Sequence, residues 1–193
     1  MFNIILFGPP GSGKGTQAKI IEEKYDLHHI STGDLFRYEL KNETELGKKI
    51  KHIMESGELV PDEITIEMLK NKILSFDNPK GFLLDGFPRN NNQAKELDKL
   101  FEELGEEVNV LISLDVPEEE IVQRILNRGK TSGRSDDNDE SIIRGRYQVY
   151  KDQTLPVFEY YQNKNKARTV NGVGDIDEIS NRILCAVEEH NKK

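Results

Sequence analysis

Gly8-Pro9-Pro10-Gly11-Ser12-Gly13-Lys14-Gly15-Thr16 decides what kind of chain this is. Before it, Phe2-Asn3-Ile4-Ile5-Leu6-Phe7 is the short apolar run of a strand buried on both faces. After it, Gln17 to Tyr25 mixes Ala18, Ile20 and Ile21 with charges, as an amphipathic helix does. Strand, glycine loop and helix together are the setting of a phosphate-binding loop. Glycines let backbone N–H groups turn inward around an anion with no Cβ in the way. The helix adds the positive end of its dipole, and Lys14 adds a full charge at the β- and γ-phosphates. A plain strand-to-helix turn would need neither this spacing nor the lysine. One position departs from the general pattern: a hydroxyl residue should follow the lysine to meet magnesium, but Gly15 stands there and Thr16 comes one place late. The loop itself then lacks a side-chain ligand for the metal.

The bulk properties narrow the class. A chain of 193 residues is one domain with a substantial core, or one domain with inserted flaps. Acidic residues outnumber basic ones, 35 to 27, and the net charge of −8 disfavours nucleic acid or an anionic membrane as partner. No stretch is long and apolar enough to span a bilayer, and no signal peptide is expected where the first residues already read as an apolar strand. Cys185 is the single cysteine, which excludes an internal disulfide or a cysteine metal cluster and suits a reducing cytoplasm.

Along the chain, strands are expected at His28-His29-Ile30-Ser31, Gly81 to Gly86, Val108 to Val116 and Arg168-Thr169-Val170. The two histidines read as ordinary strand residues. Helices are expected from Thr32 to about Met54, after Pro61 with Asp62 and Glu63 in the first turn, and from about Asn90 to Leu104. Another begins at Pro117 and ends at Arg128-Gly129. Lys130 to Asp139 has almost no hydrophobic residue and reads as an exposed, mobile loop. A long helical region from Glu140 to Gln162 should bend near Pro156, and Ile176, Ile179, Ile183 and Val187 recur at helical spacing. Strands alternating with helices imply a parallel sheet covered on both faces, an α/β fold of the P-loop type. About fifty residues separate the second strand from Gly81, more than a crossover needs, so a helical flap is inserted there.

Asp85 ends an apolar strand, where a carboxylate can hold magnesium directly or through water. It is followed by Gly86, not by a glutamate that would activate water, which favours transfer to an acceptor that is already nucleophilic. Phosphoryl transfer between two polyanions is chiefly positioning and charge neutralisation. It calls for arginines, whose planar forks grip phosphate oxygens at two points. Arg37, Arg89, Arg128, Arg134, Arg144 and Arg146 lie in segments that should flank the loop.

Gly8 to Thr16, Ser31-Thr32-Gly33-Asp34-Leu35, Gly57-Glu58-Leu59-Val60-Pro61, Asp85-Gly86-Phe87-Pro88-Arg89 and Thr131-Ser132-Gly133-Arg134-Ser135-Asp136-Asp137-Asn138 resemble the adenylate kinases, in the family's order and over essentially the whole chain. The resemblance implies a five-stranded parallel sheet with a core of residues 1–30, 61–127 and 139–193, a flap over the nucleoside monophosphate at 31–60, and a short lid at 128–138. It implies ATP + AMP ⇌ 2 ADP, with magnesium, in purine nucleotide homeostasis. ATP would rest on Gly11, Ser12, Gly13, Lys14, Gly15 and Thr16, with Arg128 over its adenine and phosphates and Gly174 near its base. AMP would lie against Thr32, Arg37, Glu58, Leu59, Val60, Gly86, Phe87, Pro88, Arg89 and Gln93. Lys14, Asp85, Arg89, Arg134 and Arg146 would carry the chemistry, Asp85 through magnesium-bound water. The lid is the short form, without the insertion in which some relatives hold zinc, so no zinc is expected, and a monomer is the default.

One residue too many separates Asn138 from Arg146 for the family pattern, so Arg144 competes with Arg146. Arg146 is preferred because Tyr150, Thr154 and Pro156 then fall at the right offsets. A UMP/CMP kinase would share most motifs, but its pattern has asparagine in place of Gln93 and alanine in place of Thr32. A nucleotide switch is a more distant alternative; Asn163-Lys164-Asn165-Lys166 lacks the acid of a guanine reader.

Overall fold

In a computed structural model, which describes residues 1–191, β1 (Ile4–Phe7) lies at the centre of a five-stranded sheet. The other strands are β2 (His28–Ser31), β3 (Phe82–Asp85), β4 (Val110–Asp115) and β5 (Ala167–Asn171), in the order β2-β3-β1-β4-β5, every pair parallel. Side chains alternate across a strand, so the apolar run of β1 divides between two cores. Ile5 and Phe7 join Leu84, Leu111, Leu97, Phe101 and Val157 on one face; Ile4 and Leu6 join Leu83, Ile112, Ala18, Ile21 and Ile183 on the other. The first face is covered by α4 (Asp62–Leu74), α5 (Asn91–Glu103) and α8 (Leu155–Gln162), the second by α1 (Lys14–Tyr25) and α9 (Ile176–Asn191). A strand without polar alternation is thus explained by helices on both sides.

The chain leaves β1 towards β2 on one side, whereas β4 sends it towards β5 on the other. Connections that part in this way open a crevice at the carboxyl ends of the strands, where open α/β sheets bind ligands. The glycine loop emerges into that crevice. In the register of the sheet Leu6 stands opposite Asp85, which brings the acid beside the loop. Between β2 and α4, α2 (Thr32–Lys41) and α3 (Glu45–Glu55) pack around Phe36, Ile50 and Val60 in a small core of their own.

Two boundaries differ from expectation. Helix α1 begins at Lys14, three residues before Gln17, so the lysine sits in its first turn. Helix α6 (Glu118–Ser132) runs past Gly129 and ends at Gly133, whose φ of 68° provides a left-handed C-cap. Gly129 is needed for close approach instead: a Cβ there would lie 2.7 Å from the carbonyl oxygen of Asp137. Residues 130–139 are therefore not simply an exposed loop, since they hold the end of α6, a 3₁₀ turn at Ser135–Asp137 and the fully buried Asp137. Finally, the helical region expected to bend near Pro156 is interrupted just before it. A π-turn, Tyr150–Thr154, links α7 (Glu140–Val149) to α8 and leaves Pro156 in the first turn of α8, where a missing N–H is tolerated.

Candidate active site

A cavity of about 500 Å³ opens at the carboxyl end of β1. Its floor is the glycine loop. Gly11 has φ 82°, and a Cβ on it would press to 2.6 Å from Ile125, so only glycine fits both backbone and packing. Gly13, Lys14, Gly15 and Thr16 line the cavity, and the first turn of α1 holds N–H groups with no intrahelical partner. Ser12 is fully buried beneath the loop. Lys14 Nζ donates to the carbonyls of Gly8 and Pro9, both at 2.9 Å, which bends the lysine back over its own loop. Burial lowers its pKa to about 8; Asp85 opposes that shift, while Arg89, Arg146 and Arg128 add to it.

Around this floor stand Arg37, Arg89, Arg124, Arg128, Arg134 and Arg146. Arg89 Nε donates to Gly86 O at 2.7 Å, and burial lowers the guanidinium to about 10 despite Asp85 nearby. Arg128 grips Asp137 with two bonds, of 2.7 and 2.8 Å, and Arg146 reaches Asp136 at 2.8 Å and Asp137 at 3.2 Å. Burial opposes ionisation of Asp137, but the three arginines facing it, 128, 146 and 134, outweigh burial and hold the carboxyl below its usual range. Arg134 also approaches Asp34 of α2 at 3.9 Å, so the segment after α6 leans on the α2–α3 unit across the cavity mouth. Burial likewise opposes ionisation of Asp85; the His29 ring, Lys14 and Arg89 overcome it, leaving a carboxylate. His29 Nε2 lies 3.9 Å from that carboxylate, so this strand histidine is a neighbour of the site, which its sequence context does not reveal.

A smaller recess continues from the cavity, lined by Thr32, Arg37, Glu58, Leu59, Val60, Arg89, Gln93 and Arg146 among others. Gln93 is buried, with Oε1 accepting from the Arg89 N–H at 2.8 Å and Nε2 donating to Asp62 at 2.7 Å. Thr32 is buried too, and its hydroxyl donates to Gly86 O at 2.8 Å, the carbonyl that Arg89 also binds. Gly86, Phe87 and Pro88 line the main cavity.

The structure places two of the singled-out residues away from the cavity lining. Arg144 lies outside, bonded to Glu118, Glu119 and Glu140 on the helix surfaces, and Arg124 takes its place among the cavity arginines. Arg124 donates to Gly172 O at 3.1 Å and so ties α6 to the loop after β5. Gly174, in that same loop, packs against Glu178 and Arg182 and is not among the residues lining the cavity. Among the described residues, no group of three or more His, Cys, Asp or Glu side chains is placed to hold a metal ion, and no helix is long and apolar enough to cross a membrane.

Residues 6–166 match the family model described as adenylate kinase. The chain belongs to the adenylate kinase family. It is similar to the adenylate kinase of Flavobacterium psychrophilum, with 53% identity over 95% of this chain and 96% of that one. The adenylate kinase of Phocaeicola vulgatus is 48% identical over 98% of this chain and all of its own length, and that of Stenotrophomonas maltophilia 47% over 96% and 98%. Membership of the adenylate kinase family accounts for the glycine loop, the order of the motifs and the sheet, and it fits the arginine-lined cavity.

Proposed function

We propose that this protein catalyses the reversible transfer of the terminal phosphoryl group of ATP to AMP, giving two ADP. The observation that carries the reading is the convergence of Lys14 and six arginines on one cavity in a chain of net charge −8. Concentrating cations against the average of the chain is costly without polyanions to meet them. Two nucleotides bring enough negative charge. The pKa values of Lys14 and Arg89 are lowered chiefly by burial, with neighbouring arginines adding to the shift, and bound phosphates would offset both effects.

On this reading Gly11 to Thr16 cradle the β- and γ-phosphates of ATP, and Lys14 follows the charge as it moves. Arg37 and Arg89 hold the AMP phosphate so that one of its oxygens faces the γ-phosphorus. That oxygen forms the new P–O bond while the bond to the β,γ-bridging oxygen breaks, so no proton need be removed from the nucleophile. Arg128, Arg134 and Arg146 neutralise the charge spread over the transferring group. Residues 31–60 and 128–138 serve as flap and lid; the approach of Arg134 to Asp34, at 3.9 Å, supports a closure that would exclude water, which would otherwise compete as acceptor.

Magnesium suits the donors present: Asp85 is an ionised oxygen ligand beside Lys14, at the end of β3. Asp85 would hold the ion through water, and the ion would supply charge neutralisation at the phosphates of ATP. Asp85→Asn should therefore raise the magnesium concentration for half-maximal activity by about 10-fold or more. A magnesium titration unchanged in that variant removes Asp85 from the metal site. A monomer in a reducing compartment is consistent with the single cysteine, Cys185, left exposed and free.

The reading as a whole is tested by a coupled assay with ATP and each of AMP, CMP, UMP and GMP. ADP formed from ATP and AMP, with stoichiometry two, is the expected result. Absence of AMP-dependent turnover at saturating magnesium would falsify it.

A further inference from the structure

Asp62 is the first residue of α4, and an acid there would be expected only to favour the helix dipole. Its side chain does more. Oδ1 accepts from Asn90 Nδ2 at 2.8 Å and from Gln93 Nε2 at 2.7 Å, and Oδ2 accepts from Asn92 Nδ2 at 2.8 Å. Three side-chain amides from the start of α5 are thus pointed at one carboxylate. Asn90 is itself fixed, because its Oδ1 accepts the backbone N–H of Gln93 at 2.9 Å. The other end of Gln93 is held by the backbone N–H of Arg89, at 2.8 Å.

The consequence lies in the direction of the Gln93 amide. An amide can rotate by half a turn, exchanging its oxygen and nitrogen in almost the same volume, and each end keeps one spare hydrogen-bonding position. In the orientation held here it offers a spare N–H and a spare oxygen lone pair to the recess. Adenine, with a ring-nitrogen acceptor beside an amino donor, matches that pair. A 6-oxopurine presents the reverse, an N–H beside a carbonyl, and would match the rotated amide. Rotation would set oxygen against the Asp62 carboxylate and NH₂ against the Arg89 N–H. Both contacts would turn repulsive.

We infer that Asp62 is a positioning residue for base specificity, which locks the Gln93 amide in the orientation that accepts adenine and rejects 6-oxopurine monophosphates. This rests on the reading of the recess as the AMP site. Asp62 touches no substrate; it acts through Gln93.

The test is Asp62→Asn in the full chain, because an asparagine amide can donate as well as accept and so permits the rotated state. The measurement is the ratio of kcat/KM for AMP to that for inosine monophosphate, with ATP as donor. In the unmodified protein the ratio should be large. In the variant it should fall by about 10-fold or more, the scale of exchanging one part-buried repulsive contact for a hydrogen bond. The KM for AMP should rise while the KM for ATP stays put. A merely structural role at the start of α4 would depress turnover of both acceptors together and leave the ratio alone. A thermal melt establishes that the variant is folded; if it is not, Asp62→Ser keeps a good helix-start residue and repeats the measurement. A folded variant with an unchanged ratio overturns the inference. An unmodified protein that does not prefer AMP over inosine monophosphate overturns the reading of the recess instead.

Discussion

Arg146→Ala is expected to slow phosphoryl transfer by about 10³-fold or more, whereas Arg144→Ala should cost little. The two arginines lie two residues apart on α7, so they point to different sides of the helix. Arg146 turns inward, to Asp136 and Asp137, and borders both the main cavity and the recess beyond it. Arg144 turns outward to three glutamates, and such exposed pairs contribute little. Arg134→Ala should match Arg146→Ala, because its side chain lines the same cavity. The loss should appear in kcat with the circular dichroism spectrum preserved, since none of these side chains belongs to an apolar core. Asp137 keeps two bonds from Arg128 when Arg146 is removed, so no buried charge is abandoned. If Arg144→Ala proves as damaging as Arg146→Ala, the extra residue between Asn138 and Arg146 has been placed wrongly.

AMP should be preferred over CMP and UMP by at least about 10² in kcat/KM. Discrimination of this size is reached when a buried polar group is paired by the right substrate and left unpaired by the wrong one. Gln93 is such a group, 1% exposed, with one donor and one acceptor position uncommitted after its bonds to Asp62 and Arg89. A pyrimidine would also be too short to fill the space of the missing ring. Gln93→Asn combined with Thr32→Ala should narrow the gap chiefly by harming AMP. In that pair the threonine acts indirectly, since its hydroxyl is spent on Gly86 O, the same carbonyl that positions Arg89. Turnover of CMP comparable to that of AMP by the unmodified protein would promote the UMP/CMP kinase alternative.

The apolar strands, the glycine loop and the acid at Asp85 were legible because each is a local pattern: a buried run, a spacing, a residue at a strand end. Arg124 was not, although a signal existed. It stands four residues before Arg128 on one helix, and a cavity-facing Arg128 puts the residue one turn earlier on the same face. The segment from Lys130 to Asp139 misled for a different reason. Its composition is polar, and polarity is ordinarily solvated, but Asp137 is buried by pairing with arginines that lie nine residues away on either side. Nothing in a hydropathy pattern reports that kind of burial. Asp62 looked like a helix-start acid for the same reason: its three amide partners come from another element, and only the packing of α4 on α5 brings them together.

The small core formed by Phe36, Ile50 and Val60 draws its surrounding apolar side chains from residues 40 to 68 and shares none with the clusters on the two faces of the sheet. Such a unit is expected to loosen locally before the sheet does, with α4 as the seam, since Ile64 and Met68 face this core while Leu69 and Ile73 of the same helix pack on the strands. Sequence drift inside that unit could then tune how readily the acceptor side opens, and with it the release of product, at no expense to the stability of the sheet that carries the phosphate loop.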